Sequence, residues 1–419
     1  MEILFHGAAG EVGRSCIEID NSFLLDAGLK ITDRGTEYPT SLDPAKIQAV
    51  FISHAHLDHT GALPIFNHSG LNCPIYTTHM TKLITEVLLD DSFHIELIAH
   101  THAGYSKENI FTVLQHFHDV HYNEQLSISK DLTAQYLDAG HIPGSASILL
   151  NYKKKKILYT GDINWKPTQL IAGANYTVNP DIMISECTYG DRLHPNRQES
   201  EAHFIESIKD VLNKGGSVLL PAFAVGRAQE LMILLAKSGI EFPIFLDGMA
   251  KKITELCMTN SSFIKSAKEL QEAHKKIQYI MSENDRKRII QQQCIVITTS
   301  GMVTGGPVMD YLKMMFFEPK HGLFLTGYQG DGTNGRLLLQ ERCAYVDGKK
   351  VKWEGRIEQF DFSAHAGQDD LIEAVQKMKP KILILNHGDE IALSTFADKM
   401  KRIVPKVIVA KLDEKIEVN

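Results

Sequence analysis

The segment FISHAHLDHTG, residues 51–61, decides the fold of this chain. An apolar run ends at Ser53, and four side chains of the kind that bind metals follow within six residues: His54, His56, Asp58 and His59. Residues two apart in an extended segment point to the same side, so the imidazoles of His54 and His56 are presented together. Imidazoles and carboxylates are typical zinc ligands. The segment therefore predicts a metal site at the end of a strand.

Three further ligand candidates stand alone at the ends of other apolar runs. They are His141 after 137–140, Asp162 after 157–160 and His387 after 382–385, each next to a glycine. Layered α/β folds gather their functional groups at the carboxyl ends of strands. Seven ligands suit two metal ions, which can hold the attacking and the leaving oxygen of a phosphate ester. Asp162 is the best candidate for a carboxylate shared by both.

A second histidine group competes with this one. The stretch QHFHDVHY carries His116, His118 and His121, with Asp119 as the accompanying carboxylate. No strand end frames this group in the sequence. We therefore weigh a metal role against an exposed or substrate-lining segment and favour the latter.

Composition restricts the class of protein. The chain has 419 residues, 43% hydrophobic and 23% charged, which suits two or three globular domains. A net charge of −7 argues against a surface coated with basic residues for bulk nucleic-acid binding. No apolar run reaches the length of a membrane span, and the start MEILFHGAAGEVG does not look like a secretory signal. Six scattered cysteines without a CxxC pair favour a reducing compartment, the cytoplasm.

The pattern along the chain predicts an α/β protein. Short apolar runs separated by turns predict strands in the first 60 residues, and the spacing of Met80, Leu83, Ile84, Val87 and Leu88 predicts a helix. After residue 192, strands and helices alternate, which indicates a parallel sheet. A helix over 370–377 and a strand over 382–385 follow. The lysine run 153–156 is interpreted as a hairpin tip, with contact to phosphate as the alternative.

Several of these motifs resemble one known family. The pattern His54-x-His56-x-Asp58-His59, with His141, Asp162 and Asp26 in LLDAG, resembles the metallo-β-lactamase superfamily. Within it, SECTYGDR, FSAHAG and LNHGD resemble motifs A, B and C of the β-CASP branch. The segments GEVGRSC, PAFAVGRAQE, TTSGM and LTGYQGDGTNGR support the same branch, so the resemblance covers nearly the whole chain. It is strongest to archaeal and bacterial relatives of the endonuclease subunit of the cleavage and polyadenylation factor.

The resemblance implies a fold and a ligand set. The expected fold is α/β: a four-layer αββα metallo-β-lactamase domain, formed by residues 1–190 and 366–419, with an inserted α/β β-CASP domain over 191–365. Two Zn²⁺ ions per chain are expected. Asp26 is expected to orient a ligand histidine. The ligands implied are His54, His56 and His141 for one zinc, Asp58, His59 and His387 for the other, and Asp162 for both.

Further residues are candidates for catalysis and for binding phosphate. His365 is interpreted as the proton donor to the departing 3′ oxygen, with a buried structural histidine as the alternative. The catalytic candidates are His365, Glu186 and Asp58, with Glu186 orienting His365 or serving as a plain strand-end carboxylate. The RNA and phosphate contacts are expected at Ser363, Gly367 and Arg227, the last of which could equally form a surface ion pair. The glycine-rich stretch 327–335 is either a phosphate cradle or a tight turn.

The function implied is a zinc-dependent ribonuclease that hydrolyses phosphodiester bonds of single-stranded RNA, in RNA processing or decay. Because DNA-processing relatives typically lack histidine at motif C, His387 favours RNA. We expect an endonuclease, to which 5′→3′ exonuclease trimming can be added. The N-terminal KH modules of archaeal relatives and the extra C-terminal domain of ribonuclease J are not expected. Alternatives are a DNA nuclease, a silent RNA-binding scaffold and a small-molecule hydrolase. No membrane partner is expected; a homodimer or a larger RNA-processing complex is compatible with the sequence.

Overall fold

A computed structural model describes residues 1–32, 35–98, 104–330 and 332–418. The described chain divides into two compact units. The first comprises residues 1–167, 173–193 and 364–419, and the second comprises 168–172 and 194–363. Each unit has its own sheets and hydrophobic core, so each is described by itself.

The strands and helices follow one another along the chain, with short 3₁₀ turns at Pro44–Lys46 and Ser261–Phe263. The strands are β1 (Glu2–Phe5), β2 (Ile17–Ile19), β3 (Phe23–Leu25), β4 (Lys30–Thr32), β5 (Gly35–Glu37), β6 (Ala49–Phe51), β7 (Ile75–Thr78), β8 (Phe117–Val120), β9 (Gln125–Ser129), β10 (Leu132–Asp138), β11 (Ala146–Tyr152), β12 (Lys155–Tyr159), β13 (Ile182–Glu186), β14 (Val218–Pro221), β15 (Ile244–Asp247), β16 (Ile277–Tyr279), β17 (Ile295–Thr298), β18 (Gly322–Leu325), β19 (Cys343–Val346), β20 (Lys349–Lys352), β21 (Arg356–Gln359), β22 (Ile382–Asn386), β23 (Lys406–Val409) and β24 (Lys415–Glu417). The helices are α1 (Leu57–Thr60), α2 (Leu63–His68), α3 (His79–Ile98), α4 (Lys107–Gln115), α5 (Arg197–Asn213), α6 (Arg227–Lys237), α7 (Ala250–Thr259), α8 (Ala267–Lys276), α9 (Glu283–Ile289), α10 (Val308–Met315), α11 (Asn334–Glu341), α12 (Gln368–Met378) and α13 (Glu390–Met400).

The first unit contains two seven-stranded mixed sheets. One has the order β24-β1-β2-β3-β6-β7-β8 and the other the order β23-β22-β13-β12-β11-β10-β9. In the second sheet, β10 and β11 pair antiparallel, whereas β12, β13, β22 and β23 run parallel. The central parallel strands β13 and β22 are buried on both faces, which explains their nearly continuous apolar runs.

The layers of the first unit follow from which residues share a core. Phe51 and Leu25 of the first sheet pack with Ile148 and Ile384 of the second, and this core lies between the two sheets. The outer face of the second sheet packs on α12 and α13, with Phe396 at the centre. The outer face of the first sheet packs on α2 and α4. The order is helix, sheet, sheet, helix, and the expected αββα fold is confirmed.

The second unit is built on a six-stranded sheet with the order β16-β15-β17-β14-β18-β21. Its neighbouring strands all pair in parallel. A buried cluster that includes Trp353, Tyr311 and Phe316 forms one of its cores. The alternation of strands and helices that predicted a parallel sheet here is confirmed, and the mixed α/β class with it.

Some predicted strands end earlier in the structure. The apolar run 137–140 that precedes His141 leaves the sheet after Asp138, because the Asp138 carboxylate accepts the Gly140 N–H at 2.9 Å and Gly140 turns the chain with φ = 68°. Of the lysine run, Lys153 and Lys154 form the hairpin tip with positive φ, and Lys155 and Lys156 belong to β12. Lys153 Nζ donates to Asp20 at 2.7 Å, so part of this tip is engaged in an ion pair. No helix of the described chain combines the length and apolarity needed to cross a membrane.

Candidate active site

One group of ligand-type side chains contains His54, His56, His141 and Asp162, and their ligand atoms lie within 4.8 Å of one another. His56 Nδ1 is 3.2 Å from His54 Nε2 and 3.3 Å from His141 Nε2. Asp162 Oδ2 is 3.5 Å from His54 Nε2 and 3.7 Å from His141 Nε2. The loops after β6, β10 and β12 supply these residues, so three strand ends of the first unit meet here.

A second group adjoins the first and shares Asp162 with it. His59 Nε2 lies 3.4 Å from Asp162 Oδ2, and His387 Nδ1 lies 3.1 Å from Asp162 Oδ1. Asp58 Oδ2 is 3.9 Å from His59 Nε2 and 3.5 Å from His387 Nε2. Asp162 thus contacts both groups, with Oδ2 near His54, His141 and His59 and Oδ1 near His387, as expected of a carboxylate common to two sites.

Hydrogen bonds within the first unit fix which ring nitrogen of His54, His59 and His141 faces the centre. His59 Nδ1–H donates to Asp26 Oδ2 at 2.7 Å, and His141 Nδ1–H donates to the Ala364 carbonyl at 2.8 Å. His54 Nδ1–H donates at 3.1 Å to Ser53 Oγ, which itself donates to Asp26 Oδ2 at 2.7 Å. In each case Nε2 is left with its lone pair towards the cluster.

Asp26 is the hub of these contacts. It is fully buried and also accepts the Ser53 N–H at 2.7 Å and the Tyr159 hydroxyl at 2.6 Å. The sequence motifs pointed to Asp26 but missed Ser53 and Tyr159. Two features of the sequence could have indicated these residues. Ser53 directly precedes His54, and an apolar strand ends at Tyr159.

His365 stands beside the clusters with a carboxylate partner of its own. Its Nδ1–H donates to Glu186, with the two oxygens at 3.0 and 3.1 Å, and lies 3.9 Å from Asp162 Oδ2. The ring centroid is 4.5 Å from that of His141. Glu186 is buried and its Oε1 also accepts the Ile163 N–H at 2.7 Å, which holds the carboxylate in place. The partner of His365 predicted from the sequence motifs is therefore the one it contacts.

Burial and neighbouring charges shift the pKa values of these groups. Burial, followed by the neighbouring His59, lowers the pKa of His54 well below its ordinary value. Burial acts to lower the pKa of His387, but the neighbouring Asp162 and Asp58 carboxylates outweigh burial and raise that pKa to about 10. For His365, burial is likewise outweighed by Glu186 and Asp162, and its pKa is raised. The carboxylates beside His387 and His365 thus favour a positive charge at these two positions.

The residues fit a metal site by their chemistry. Neutral imidazoles and carboxylates are the ligand set of Zn²⁺ in hydrolytic sites. The buried atoms His59 Nε2 and His387 Nε2 have no hydrogen-bond partner among the described residues. A buried polar atom without a partner is costly, and coordination of a metal is one way to satisfy it.

The predicted phosphate contacts have different surroundings. Gly367 is the N-cap of α12, and its N–H donates to Asp370 Oδ2 at 3.3 Å, so this group serves the helix. Arg227, in the second unit, is 7% exposed and paired with Glu230, and its guanidinium lies 5.7 Å from the Phe362 ring centroid. The ion pair of Arg227 is thus buried, so the surface ion pair considered as the alternative to a phosphate contact is not the one that forms. Ser363, also in the second unit, donates its backbone N–H to Asp361 Oδ1 at 3.1 Å.

The glycine-rich stretch 327–335 comprises a loop and the first residues of helix α11. It runs from a loop into helix α11, whose N-cap Thr333 accepts the Arg336 N–H at 3.2 Å. Gly335 belongs to that helix, and Asp331 lies outside the described residues. For the part of this stretch that precedes the helix, the phosphate cradle and the tight turn both stay predictions.

The competing histidine group does not assemble into a site. His118 lies in β8, with its ring centroid 5.5 Å from that of Tyr76, and His116 caps the end of α4. Asp119 instead accepts from His79 Nδ1 at 2.8 Å. None of the metal-type clusters found among the described residues includes His116, His118 or His121.

Comparison with known families agrees with this geometry. The chain matches the Metallo-beta-lactamase superfamily domain over residues 16–188. It matches the Beta-Casp domain over 228–338 and the Zn-dependent metallo-hydrolase RNA specificity domain over 350–410. Fold and site together define a metal-dependent hydrolase of the metallo-β-lactamase class.

Curated relatives narrow this class. The chain is 40% identical to Probable RNase MJ4 of Methanocaldococcus jannaschii over the full length of both. It is 34% identical to RNase aCSPSF2 of Saccharolobus solfataricus, covering 94% of this chain and 81% of that one. An RNase J-like protein of Methanocaldococcus jannaschii is also 34% identical, with 94% of each covered. The chain belongs to the β-CASP ribonuclease branch of the metallo-β-lactamase superfamily, as its motifs had indicated.

A solved structure shares the fold. A protein of unknown function from Enterococcus faecalis aligns over 99% of both chains with a TM-score of 0.61 and 13% identity. At this identity the similarity concerns the fold alone.

Proposed function

We propose that this protein is a zinc-dependent ribonuclease that hydrolyses phosphodiester bonds within single-stranded RNA. The observation that carries the proposal is that the His365–Glu186 pair lies directly beside the shared carboxylate: ligand-type atoms of Asp162, Glu186 and His365 lie within 4.8 Å of one another. A metal centre alone suits many hydrolytic reactions, whereas a histidine with its own carboxylate next to it supplies the proton donor that an alkoxide leaving group needs. The names of the similar ribonucleases support RNA as substrate.

We propose two zinc ions per chain, because seven ligands exceed what one tetrahedral site uses. His54, His56 and His141 would hold one ion, Asp58, His59 and His387 the other, and Asp162 both. When bound, zinc stabilises the charge that develops on the phosphate and activates water for attack. The proximity of Asp162 to His54 of the first group and to His59 and His387 of the second supports the shared role.

In this proposal His365 protonates the departing 3′ oxygen. Its Nδ1–H is held by Glu186, which leaves Nε2 as the atom that can give a proton to substrate. Glu186 acts through His365 by fixing the ring, and it stabilises the charged form of the imidazole. The products are a 5′-phosphate and a 3′-hydroxyl. Ser363, Gly367 and Arg227 remain predicted phosphate contacts, of which the first and last belong to the second unit.

The domain assignment and the setting belong to the same proposal. Residues 1–190 and 366–419 would form the metallo-β-lactamase domain and 191–365 the β-CASP insertion, which the two compact units support to within a few residues. All six cysteines are free, which supports a reducing compartment such as the cytoplasm. Assembly as a homodimer or within a larger RNA-processing complex stays a prediction.

The test compares labelled single-stranded RNA with DNA of the same sequence, each with and without a chelator. We expect cleavage of RNA, loss of cleavage with chelator and recovery with zinc. Equal cleavage of DNA would favour the DNA-nuclease alternative. Binding of RNA without cleavage in zinc-supplied protein would favour the scaffold.

A circular RNA of the same sequence tests the internal mode of cleavage. We expect circles to be opened, because an endonuclease needs no free end. If circles survive while linear RNA is degraded from its 5′ end, the enzyme is an exonuclease.

A further inference from the structure

The loop between β1 and β2, residues 7–15, holds the backbone next to two proposed ligands of the second metal. The Ala8 carbonyl accepts the His387 N–H at 2.7 Å, and the Glu11 carbonyl accepts the Gly388 N–H at 3.2 Å. At its other end, the Ser15 N–H donates to the Asp58 carbonyl at 2.7 Å. Asp58 lies in α1 and His387 directly follows β22, far along the chain, and the 7–15 loop is hydrogen-bonded to the backbone at both places.

His387 needs such support because of its backbone conformation. Its φ is 48°, in the left-handed region that residues other than glycine seldom adopt. Conformations of this kind persist only where the surroundings impose them. The His387 carbonyl accepts the Cys187 N–H and the Thr188 hydroxyl, each at 3.2 Å, while the 7–15 loop holds the N–H side. If the loop moved, one of the two restraints on His387 would be lost.

The shape of the loop depends on the Glu11 side chain. Its Oε1 accepts from Arg14 Nε at 2.5 Å and its Oε2 from Lys30 Nζ at 2.6 Å. Arg14 is anchored in turn, with its N–H donating to the Leu29 carbonyl at 3.1 Å. The Glu11 side chain is only 17% exposed, so solvent and salt screen these bonds less than they would a surface pair. The Glu11 carboxylate therefore connects the middle of the 7–15 loop to Arg14, near the end of the loop, and to Lys30 in β4.

We propose that Glu11 is a positioning residue for the second metal: it holds the 7–15 loop in the shape that keeps His387 and Asp58 in place. The inference rests on the proposed two-zinc site. His54 and His141 receive their orienting hydrogen bonds from Ser53 and the Ala364 carbonyl, whereas the hydrogen bonds of the Glu11 side chain go to Arg14 and Lys30. Loss of the Glu11 carboxylate should therefore weaken one zinc and spare the other.

The test measures the affinity of each zinc in Glu11→Gln. Demetallated full-length protein is titrated with zinc in competition with a chromogenic chelator, and cobalt absorption gives a second readout. We expect two zinc ions in the wild type, and in Glu11→Gln a second zinc weakened by about 10–100-fold with the first unchanged. Cleavage of RNA by the variant should recover with excess zinc. Glu37→Gln is the matched control, because Glu37 Oε2 is 3.9 Å from the same Arg14 yet belongs to a half-exposed side chain outside the loop; its affinities should equal those of the wild type.

Lys30→Met, which removes the other partner of Glu11, keeps the inference testable if Glu11→Gln does not fold. It should weaken the same zinc in the same direction. Unchanged affinities in either variant, or equal weakening of both zinc ions, would overturn the role of Glu11. If the wild type binds only one zinc, the two-metal proposal itself is wrong. The zinc stoichiometry of the wild type is therefore measured before any variant is made.

Discussion

Replacing His365 and His387 separately tests whether the two histidines have the different roles proposed. His365 Nδ1 comes no closer than 3.9 Å to Asp162, and its hydrogen bonds go to Glu186. His387 Nδ1 is 3.1 Å from Asp162 Oδ1, and its Nε2 has no hydrogen-bond partner among the described residues. His365→Ala should therefore keep both zinc ions, whereas His387→Ala should lose about one.

The size of the kinetic effect follows from the proposed chemistry. General acid catalysis contributes about 10²–10⁴-fold, which is roughly 2.7–5.4 kcal/mol of barrier at 1.36 kcal/mol per tenfold. We expect His365→Ala to slow single-turnover cleavage of ordinary RNA by about this factor. A linkage with sulfur in place of the 3′ bridging oxygen leaves without protonation. On that substrate the deficit of His365→Ala should shrink to about tenfold or less, while His387→Ala stays slow on both.

His365→Gln separates acid catalysis from a structural role. Glutamine can donate an amide N–H to Glu186 in place of the imidazole, but it cannot deliver a proton at neutral pH. If His365 is the acid, Gln is as slow as Ala. Recovery of activity in His365→Gln, loss of zinc in His365→Ala, or an equal deficit on both linkages would refute the reasoning.

Two further predictions concern the metal centre. Elemental analysis of protein purified with zinc should find about two zinc ions per chain, and a value of one or fewer would contradict the seven-ligand interpretation. Gly28→Ala should lower zinc content and activity together, because a Cβ at this position would lie 1.7 Å from the Asp58 carbonyl oxygen and must displace the backbone that carries Asp58 and His59. Gly305→Ala, where a Cβ meets nothing within 4 Å and φ is not in the left-handed region, is the control for the general cost of replacing a glycine; its zinc content should stay unchanged. Zinc content in Gly28→Ala equal to that of the control would count against the close approach at Asp58.

Short-range patterns along the chain were enough to predict the ligand cluster at residues 54–59 and the parallel sheet after residue 192. The ligands His54 to His59 lie within six residues, so their spacing alone indicated a metal site. The alternation of strands and helices after residue 192 similarly identified a parallel sheet, because hydrophobic periodicity is a local property of the chain. Asp162, His387 and His365 each stand alone in sequence. Their motifs suggested that they meet, but no local pattern could show it.

Which side chains hold these ligands in place depends on the tertiary structure and could not be predicted from the sequence. Ser53 and Tyr159 reach Asp26 because β3, β6 and β12 bring them together, and such contacts leave no periodic trace in the sequence. Arg227 begins a helix, as its sequence indicated, but the packing of the second unit buries it against Glu230. The support of His387 by the 7–15 loop arises in the same way. The tendency of a segment to form a helix or a strand can be predicted from residues that are neighbours along the chain. The hydrogen-bond partners of a side chain depend instead on which strands the fold places side by side.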